Sequence, residues 1–241
     1  LPDMKSFFLF WVHQNNLIFL LMSYIYYIIN FFSFQICDKI LTKRDVMKIA
    51  VIDNDKIITK QVEDEKLNGR KGSIVKVLGC GLCGSDIVKF VHKISKNGTV
   101  LGHEIVAQIV DINSDTDFKI GDEIVTSHHI PCGECVYCKH GNVSMCKHFK
   151  ATNIRPGGFS EFVYLSEEHL KNVAHLKPEN LTDIEASFYE PLGCIVRAVK
   201  RANLLKGDEV LVVGLGSIGI LTAQALKAYG AKVTGCDLIP E

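Results

Sequence analysis

Short stretches of alternating apolar and polar residues dominate the chain between positions 47 and 165, and this period of two predicts β-strands. The stretches 47–51 and 57–62 predict an antiparallel hairpin, because the turn-forming run Asp53-Asn54-Asp55 separates them. Four further strands are expected at 73–78 (ended by Gly79), 105–109, 123–126 and 159–165. Many short strands with glycine between them indicate a compact, mostly antiparallel or barrel-like domain.

The period of the apolar pattern changes after Pro178. Residues 182–203 repeat at helical spacing, and Pro191 is expected to interrupt the helix. A βαβ unit is then expected from a buried strand at 209–213, a helix at 217–229 and a second strand at 231–236. We therefore predict an α/β protein with a mostly-β N-terminal domain at 47–200 and the start of a parallel-sheet domain at 201–241.

Residues 1–46 differ in character from the rest of the chain. They contain no Gly or Ala, and no Asp, Glu, Lys or Arg lies between Ser6 and Cys37. The apolar stretch 17–36 reaches the ~20 residues of a transmembrane helix. However, residues with AT-rich codons (Phe, Tyr, Ile, Asn and Lys) supply 22 of the 46 positions, and the chain opens on Leu1. This composition favours a non-native upstream extension before a start at Met47 over a membrane segment.

Charge and overall composition exclude several classes of protein. The 241 residues carry 27 Lys and Arg against 27 Asp and Glu, so the formal net charge is zero. A balanced charge is not that of a nucleic-acid-binding domain or of an acidic tail. Charged residues at 22% and apolar residues at 47% are typical of a globular chain rather than a disordered one.

Four of the nine cysteines form one closely spaced group, consisting of Cys132, Cys135, Cys138 and Cys146. Thiolates separated by two intervening residues can converge on one ion, and four thiolates complete the closed tetrahedral shell of structural zinc. An iron–sulfur cluster is the alternative metal centre, and a disulfide framework is the alternative without a metal. Such a zinc site stabilises its lobe and performs no chemistry.

A second group of possible ligands is spread along the chain. Cys83 lies within Gly81–Asp86, His103 and Glu104 follow about twenty residues later, and Glu190 precedes Pro191. A Cys, a His and a carboxylate can hold zinc with one position open, which is the arrangement of catalytic zinc. Each motif alone is weak, because a lone Cys is usually a core residue.

A glycine-rich loop follows the apolar run 210–213 and opens the helix predicted at 217. In this context the pattern Gly-x-Gly-x-x-Gly predicts a dinucleotide site, although a structural turn is the alternative. The expected cofactor-binding residues are Gly214, Gly216, Ser217, Ile218, Gly219 and Asp237. The Asp237 carboxylate would accept the ribose hydroxyls and repel a 2′-phosphate, which favours NAD over NADP.

Together these motifs resemble the zinc-dependent medium-chain alcohol dehydrogenase family, particularly its polyol (sorbitol-like), threonine and sugar-alcohol branch. The resemblance covers residues 47–241 and includes the run 157–161, Gly-Gly-Phe-Ser-Glu. It implies a chaperonin-10-like catalytic domain followed by the first βαβ unit of a Rossmann domain. A complete doubly wound domain has about six strands. Since two are predicted here, the resemblance implies a C-terminally truncated member, which is not expected to turn over by itself.

The resemblance also implies roles for individual residues. Cys83, His103 and Glu190 correspond to ligands of catalytic zinc, and Glu104 to a carboxylate that binds this zinc directly or transiently. Asp86 corresponds to the carboxylate that orients the zinc-bound histidine, and Ser85 to the hydroxyl that passes the substrate proton outward. Relatives often carry a histidine a few residues after that serine, whereas residues 87–90 here are Ile-Val-Lys-Phe. His92 or water is the expected replacement.

The sequence thus predicts an oxidoreductase that transfers hydride between an alcohol, a polyol or sugar alcohol above all, and NAD. It is expected to hold two Zn²⁺ per chain, one catalytic and one structural, and to act on small alcohol and carbonyl compounds in the cytoplasm. The family implies a homo-oligomer; no nucleic acid is expected as a partner, and a membrane only if residues 17–36 are translated. The alternatives are a membrane-anchored oxidoreductase and a non-catalytic zinc-binding module.

Overall fold

Strands β1 (Val46–Asp53) and β2 (Lys56–Glu63) form the predicted hairpin in the computed structural model, which describes residues 45–239. At the turn between them, Asn54 and Asp55 adopt positive φ angles of 45° and 64°. Two consecutive positive φ angles suit a tight hairpin turn, and Asn and Asp tolerate them better than most residues. The expectation of a hairpin at this place is confirmed.

Five further strands build the main sheet. They are β3 (Gly72–Gly81), β4 (Glu104–Asn113), β5 (Glu123–Thr126), β6 (Phe162–Ser166) and β7 (Ala174–Leu176). All neighbours are antiparallel, in the order β6-β3-β4-β5-β7. The core against this sheet is rich in β-branched residues, including Val75, Ile109, Ile124 and Val163, all with no exposed surface. Such side chains pack well on a pleated surface, and the mostly antiparallel domain is confirmed.

Gly79 does not end β3, which corrects the prediction. The strand continues to Gly81, and its register with β4 shifts between Val77 and Gly79. Glycine within a strand often marks a bulge rather than an end. The extension is important for the site, because it places Gly81 directly opposite Glu104.

Strand β6 begins at Phe162, three residues later than predicted. The residues before it serve a different pairing, since Ser160 forms an isolated antiparallel bridge with Ile49 of the hairpin. The alternating apolar pattern at 159–165 therefore includes both an isolated bridge and the start of β6. The sequence alone does not distinguish these two kinds of pairing.

Seven α-helices occur among the described residues. They are α1 (Gly84–Val91), α2 (Val136–Lys139), α3 (Lys147–Ala151), α4 (Glu167–Asn172), α5 (Asp183–Ser187), α6 (Tyr189–Arg201) and α7 (Ser217–Ala228). Pro191 does not interrupt α6 as predicted, because it lies in the first turn, where a missing N–H breaks no helical hydrogen bond. The interruption falls instead at Phe188, between α5 and α6.

Strands β8 (Glu209–Val213) and β9 (Lys232–Cys236) pair in parallel, with α7 between them in sequence, as the βαβ prediction requires. Their apolar core includes Ile195, Val199, Val212, Ala225 and Leu226. The expectation that β8 is buried is wrong: Leu211 is 61% and Val213 78% exposed, and only Val212 is buried. Within residues 45–239, β8 pairs with β9 alone, so each of the two strands has one unpaired edge.

The chain divides into two compact units after Glu190, whereas the sequence analysis placed the boundary after residue 200. Within the described part of the chain, no helix combines the length and apolar content needed to cross a bilayer. The candidate membrane segment at 17–36 lies outside the described residues.

Candidate metal centres and dinucleotide loop

Cys83, His103 and Glu104 come together although twenty residues separate the first from the others. One ligand atom from each lies within 4.8 Å of the others. Cys83 precedes the first turn of α1, and His103 and Glu104 stand where β4 begins. His103 and Glu104 are only 7% and 8% exposed. A thiol, an imidazole and a carboxylate that converge in a mostly buried place fit a zinc ion with an open position.

Asp86 is not one of the three candidate ligands, but its carboxylate contacts residues on both sides of the cluster. Its Oδ2 accepts the backbone N–H of Cys83 at 3.3 Å, and its Oδ1 accepts that of Gly102 at 3.3 Å. The same Oδ1 lies 3.4 Å from His103 Nδ1. A carboxylate on one ring nitrogen fixes the tautomer and leaves the other nitrogen to a metal. The predicted orienting role of Asp86 therefore has the contact that it requires.

Burial and hydrogen bonds shift the pKa values of all three side chains in this cluster. Burial disfavours the imidazolium of His103, but hydrogen bonds to Asp86 and Cys83 outweigh it and raise its pKa to about 10. The hydrogen bond with His103 in turn lowers the pKa of the Cys83 thiol. Burial raises the pKa of the Glu104 carboxyl. Hydrogen bonds within the cluster therefore favour the charged forms of His103 and Cys83.

Glu190 is not a member of this three-residue set. It lies in the first turn of α6, and its Oε1 is 3.7 Å from His128 Nδ1. The negative charge of Glu190 nevertheless acts on the cluster, because it contributes to raising the pKa of the Glu104 carboxyl. The role of Glu190 as a zinc ligand stays a prediction.

His128 is a site residue that the sequence reasoning missed. Its ring centroid lies 4.5 Å from that of His103 and 3.9 Å from that of His129. Its Nδ1 is buried without a hydrogen-bond partner among the described residues. Burial and the neighbouring His129 lower the pKa of His128 to about 2, so the ring is neutral. The available signal was a pair of adjacent histidines directly after β5 and just before the cysteine group.

Ser85 and His92 lie at opposite ends of α1. Ser85 is exposed, and its backbone N–H donates to Cys83 Sγ at 3.4 Å. His92 is exposed beyond the last turn of the helix. The helix between them spans eight residues, so no direct hydrogen bond links the two side chains, and their roles in proton transfer stay predictions.

The four predicted cysteines form the second group, with all sulfur atoms within 4.8 Å of one another. The Sγ atoms of Cys132 and Cys146 are 3.6 Å apart, and those of Cys132 and Cys138 are 3.9 Å apart. These separations are far longer than the ~2.05 Å of a disulfide bond. Backbone N–H groups of Cys135 and Cys138 point at Cys132 and Cys135 sulfur atoms respectively. The donor set fits a tetrahedral thiolate metal centre.

The glycine-rich loop has the geometry that the dinucleotide motif requires. Gly214 has a φ of +90°, and a Cβ atom on Gly219 would lie 1.8 Å from the Gly214 carbonyl oxygen. Gly216 precedes the first turn of α7, whose N-terminal N–H groups can bind phosphate. An open pocket of about 720 Å³ lies beside Gly214, Gly216, Ser217 and Ile218.

Asp237 follows β9 and reaches back to this loop. Its Oδ2 accepts the backbone N–H of Leu215 at 2.5 Å, and its Oδ1 accepts that of Ile239 at 3.1 Å. The hydrogen bond from Leu215 lowers the pKa of the Asp237 carboxyl. The carboxylate is therefore negatively charged and fixed beside the glycine-rich loop.

Comparison with known proteins identifies the family of the chain. The sequence profile described as "Alcohol dehydrogenase GroES-like domain" matches residues 69–176. A sorbitol dehydrogenase of Halalkalibacterium halodurans is 35% identical over 178 residues, which cover 72% of this chain and 50% of that protein. The chain belongs to the zinc-dependent medium-chain alcohol dehydrogenase family, as the motifs predict.

Two solved structures share the fold. Alcohol dehydrogenase TADH from Thermus sp. ATN1 superposes with a TM-score of 0.71 at 28% identity, over 80% of this chain and 59% of that one. Acetophenone reductase from Geotrichum candidum NBRC 4597, solved in complex with NAD, gives a TM-score of 0.69 at 25% identity, over 80% and 58%. The chain spans about half the length of the curated relatives that it matches, since it covers 50% of the sorbitol dehydrogenase of Halalkalibacterium halodurans and 56% of a second one from Bacillus subtilis, which is 29% identical.

Proposed function

We propose that the protein is a zinc-dependent dehydrogenase that interconverts an alcohol and its carbonyl compound with NAD. The observation that carries the proposal is the convergence of Cys83, His103 and Glu104, one ligand atom each within 4.8 Å. A closed four-thiolate group explains a stable fold, whereas an open set with three different donors is suited to chemistry. The activity of sorbitol dehydrogenase relatives makes polyols or sugar alcohols the preferred substrate class.

In this proposal the chain supplies ligands, orientation and charge. Cys83, His103 and Glu104 would hold zinc, and Glu190, whose charge helps to raise the pKa of Glu104, would be a further carboxylate ligand. Asp86 keeps the His103 ring in place through its 3.4 Å contact with Nδ1. When bound, zinc supplies Lewis acidity at the alcohol oxygen, and NAD supplies the hydride acceptor. The exposed Ser85 hydroxyl passes the alcohol proton outward to solvent, because no direct hydrogen bond links it to His92.

The cofactor preference rests on the fixed charge of Asp237. Its carboxylate lies beside the glycine-rich loop, held by the N–H groups of Leu215 and Ile239. A carboxylate at the end of the second strand accepts ribose hydroxyls, and its charge repels the 2′-phosphate of NADP. NAD is therefore the proposed cofactor.

The cellular setting is part of the same proposal. No disulfide bond occurs among the cysteines of the described residues, which suits the reducing cytoplasm. A homo-oligomer is proposed by resemblance to the family.

Metal stoichiometry tests the proposal directly. Elemental analysis of the purified chain should give two zinc ions, and the Cys83→Ala variant one. A single zinc that Cys83→Ala leaves unaffected would mean a non-catalytic zinc module with only the four-cysteine centre. A panel of sugar alcohols, followed by NADH absorbance on the whole protein, then identifies the substrate.

A further inference from the structure

Gly81 and Glu104 face each other directly across the ladder between β3 and β4. Side chains of such a cross-strand pair normally stand beside each other on one face of the sheet. Here the side chain of Glu104 occupies the place where a side chain of residue 81 would be. A Cβ atom built on Gly81 would lie 2.1 Å from Glu104 Oε2, 3.1 Å from its Cβ and 3.2 Å from its Cδ.

This placement directs the Glu104 carboxylate toward the ligand cluster. The side chain folds across Gly81 toward Cys83, which lies two residues further along the chain. In this position a carboxylate oxygen is within 4.8 Å of the ligand atoms of Cys83 and His103. Glu104 is only 8% exposed, so it cannot simply swing out into solvent to make room for another side chain.

We propose that Gly81 is a positioning residue, whose missing side chain lets the Glu104 carboxylate join Cys83 and His103 and so sets the metal affinity of the open site. The inference rests on the proposed function, because it assumes that this cluster binds zinc. It adds a requirement at a residue that supplies no ligand atom to the cluster.

The chain contains a matched control in the same strand. Gly79 lies two residues before Gly81 and therefore on the same face of β3, opposite Val106. A Cβ atom there would meet no atom within 4 Å. Neither glycine has a positive φ, so alanine is compatible with the backbone at both positions. The new methyl group meets Glu104 in Gly81→Ala and no atom within 4 Å in Gly79→Ala.

The experiment measures zinc affinity in the full chain by competition with a colorimetric zinc chelator, for Gly81→Ala beside Gly79→Ala. We expect Gly81→Ala to weaken the open site by about 10- to 100-fold, the usual range for losing a supporting contact of a metal ligand. The four-cysteine zinc should be retained, and Gly79→Ala should bind both ions as the unmodified chain does. Unchanged affinity in Gly81→Ala would overturn the proposal.

A double variant shows whether the effect passes through Glu104. In a Glu104→Ala background the carboxylate that the methyl group at position 81 would displace is absent and only the Cβ contact at 3.1 Å remains, so Gly81→Ala should cause no further loss of affinity. If Gly81→Ala alone is too unstable to purify, Gly81→Ala/Glu104→Ala should recover the melting temperature of Glu104→Ala. A further loss, or no recovery, would place the effect in the backbone and reject the role assigned to Gly81.

The outcomes also separate this inference from the proposed function. If the unmodified chain binds one zinc regardless of Cys83, the proposed function fails first. If it binds two ions and the Gly81→Ala result is negative, only the positioning role fails.

Discussion

Asp86 serves two structures at once, because its two oxygen atoms face different partners. One oxygen accepts the N–H of Cys83 at the start of α1, and the other lies 3.4 Å from His103 Nδ1. The side chain is 1% exposed, so neither contact can be replaced by water without rearrangement. Orientation of a metal ligand and the start of a helix therefore depend on the same carboxylate.

Replacing this carboxylate by an amide should weaken the open site selectively. In Asp86→Asn the negative charge beside His103 is lost, and we expect zinc affinity to fall by about 10- to 100-fold. Chelator competition measures it. Asp122→Asn is the control, since Asp122 accepts a backbone N–H from Lys119 at 2.8 Å in a turn away from the cluster. Equal affinities for both variants would contradict the orienting role.

The raised pKa of His103 predicts how the zinc-free protein responds to pH. Its folded-state pKa of about 10 lies above the ordinary value of 6.5, so the folded state binds a proton that the unfolded state releases earlier. This stabilisation is fully present below about pH 6.5 and is lost as pH rises toward 10. Urea unfolding of zinc-free protein across this window should show the decline, and His103→Gln should flatten it. A profile that rises with pH in both proteins would contradict it.

Asp237 makes a prediction for cofactor choice. Asp237→Ala removes the charge that repels a 2′-phosphate and also the acceptor of the Leu215 N–H, 2.5 Å away. We expect NAD binding to weaken and the preference for NAD over NADP to narrow, as measured by titration with each dinucleotide. If Asp237→Ala preferred NAD over NADP as strongly as the unmodified protein does, the charge of Asp237 would not be the cause of the preference.

At the level of single residues, the sequence identified most candidate metal ligands but not how their side chains are arranged in space. Cys83, His103 and Glu104 were recognisable because each stands in a short motif. His128 was not, since two adjacent histidines carry no spacing pattern, and its 4.5 Å approach to His103 arises from the pairing of β4 and β5. The distance between Glu190 and the cluster depends likewise on how α6 begins, which no local pattern determines.

At the scale of elements, the spacing of apolar residues predicted where strands occur more accurately than where each strand begins and ends. Strands β5 and β8 were predicted with the observed bounds. The end of β3 was wrong because glycine both ends and bends strands. The interruption at Pro191 was wrong because proline disrupts a helix interior but fits its first turn. The prediction that β8 is buried was wrong. Burial of a strand depends on the elements that pack against it, and the apolar pattern of the strand itself does not show which elements those are.

The four-cysteine lobe is an element that metal must stabilise. Its helix α2 has four residues, and a helix this short is not stable alone. We expect Cys138→Ser to lose one zinc and to lower the melting temperature, because the metal provides folding free energy for such a lobe. Calorimetry and elemental analysis measure both effects, with Cys194→Ser, an exposed cysteine outside both groups, as the control. Retention of the zinc and of the melting temperature would reject the structural role.

At the scale of the whole molecule, two centres of different hardness should release their metal separately. The open set contains one thiolate, an imidazole and a carboxylate, whereas the closed set contains four thiolates. Softer thiolate ligands hold zinc more tightly, so chelator should remove the open-site zinc well before the other. Zinc release followed over time should therefore be biphasic. A single phase that removes both ions together would contradict the assignment of one open and one closed site.

Two cysteine sulfur atoms accept hydrogen bonds from backbone N–H groups, and these bonds affect how fast the amide hydrogens exchange with solvent. Cys83 accepts from Ser85 at the start of α1, and Cys135 accepts from Cys138 at the start of α2. In both places a candidate ligand also caps a helix, so metal binding and the first turn of that helix are energetically linked. Deuterium uptake by the first-turn amides would then report occupancy of each centre separately, at two positions that a mass spectrometer can distinguish by peptide.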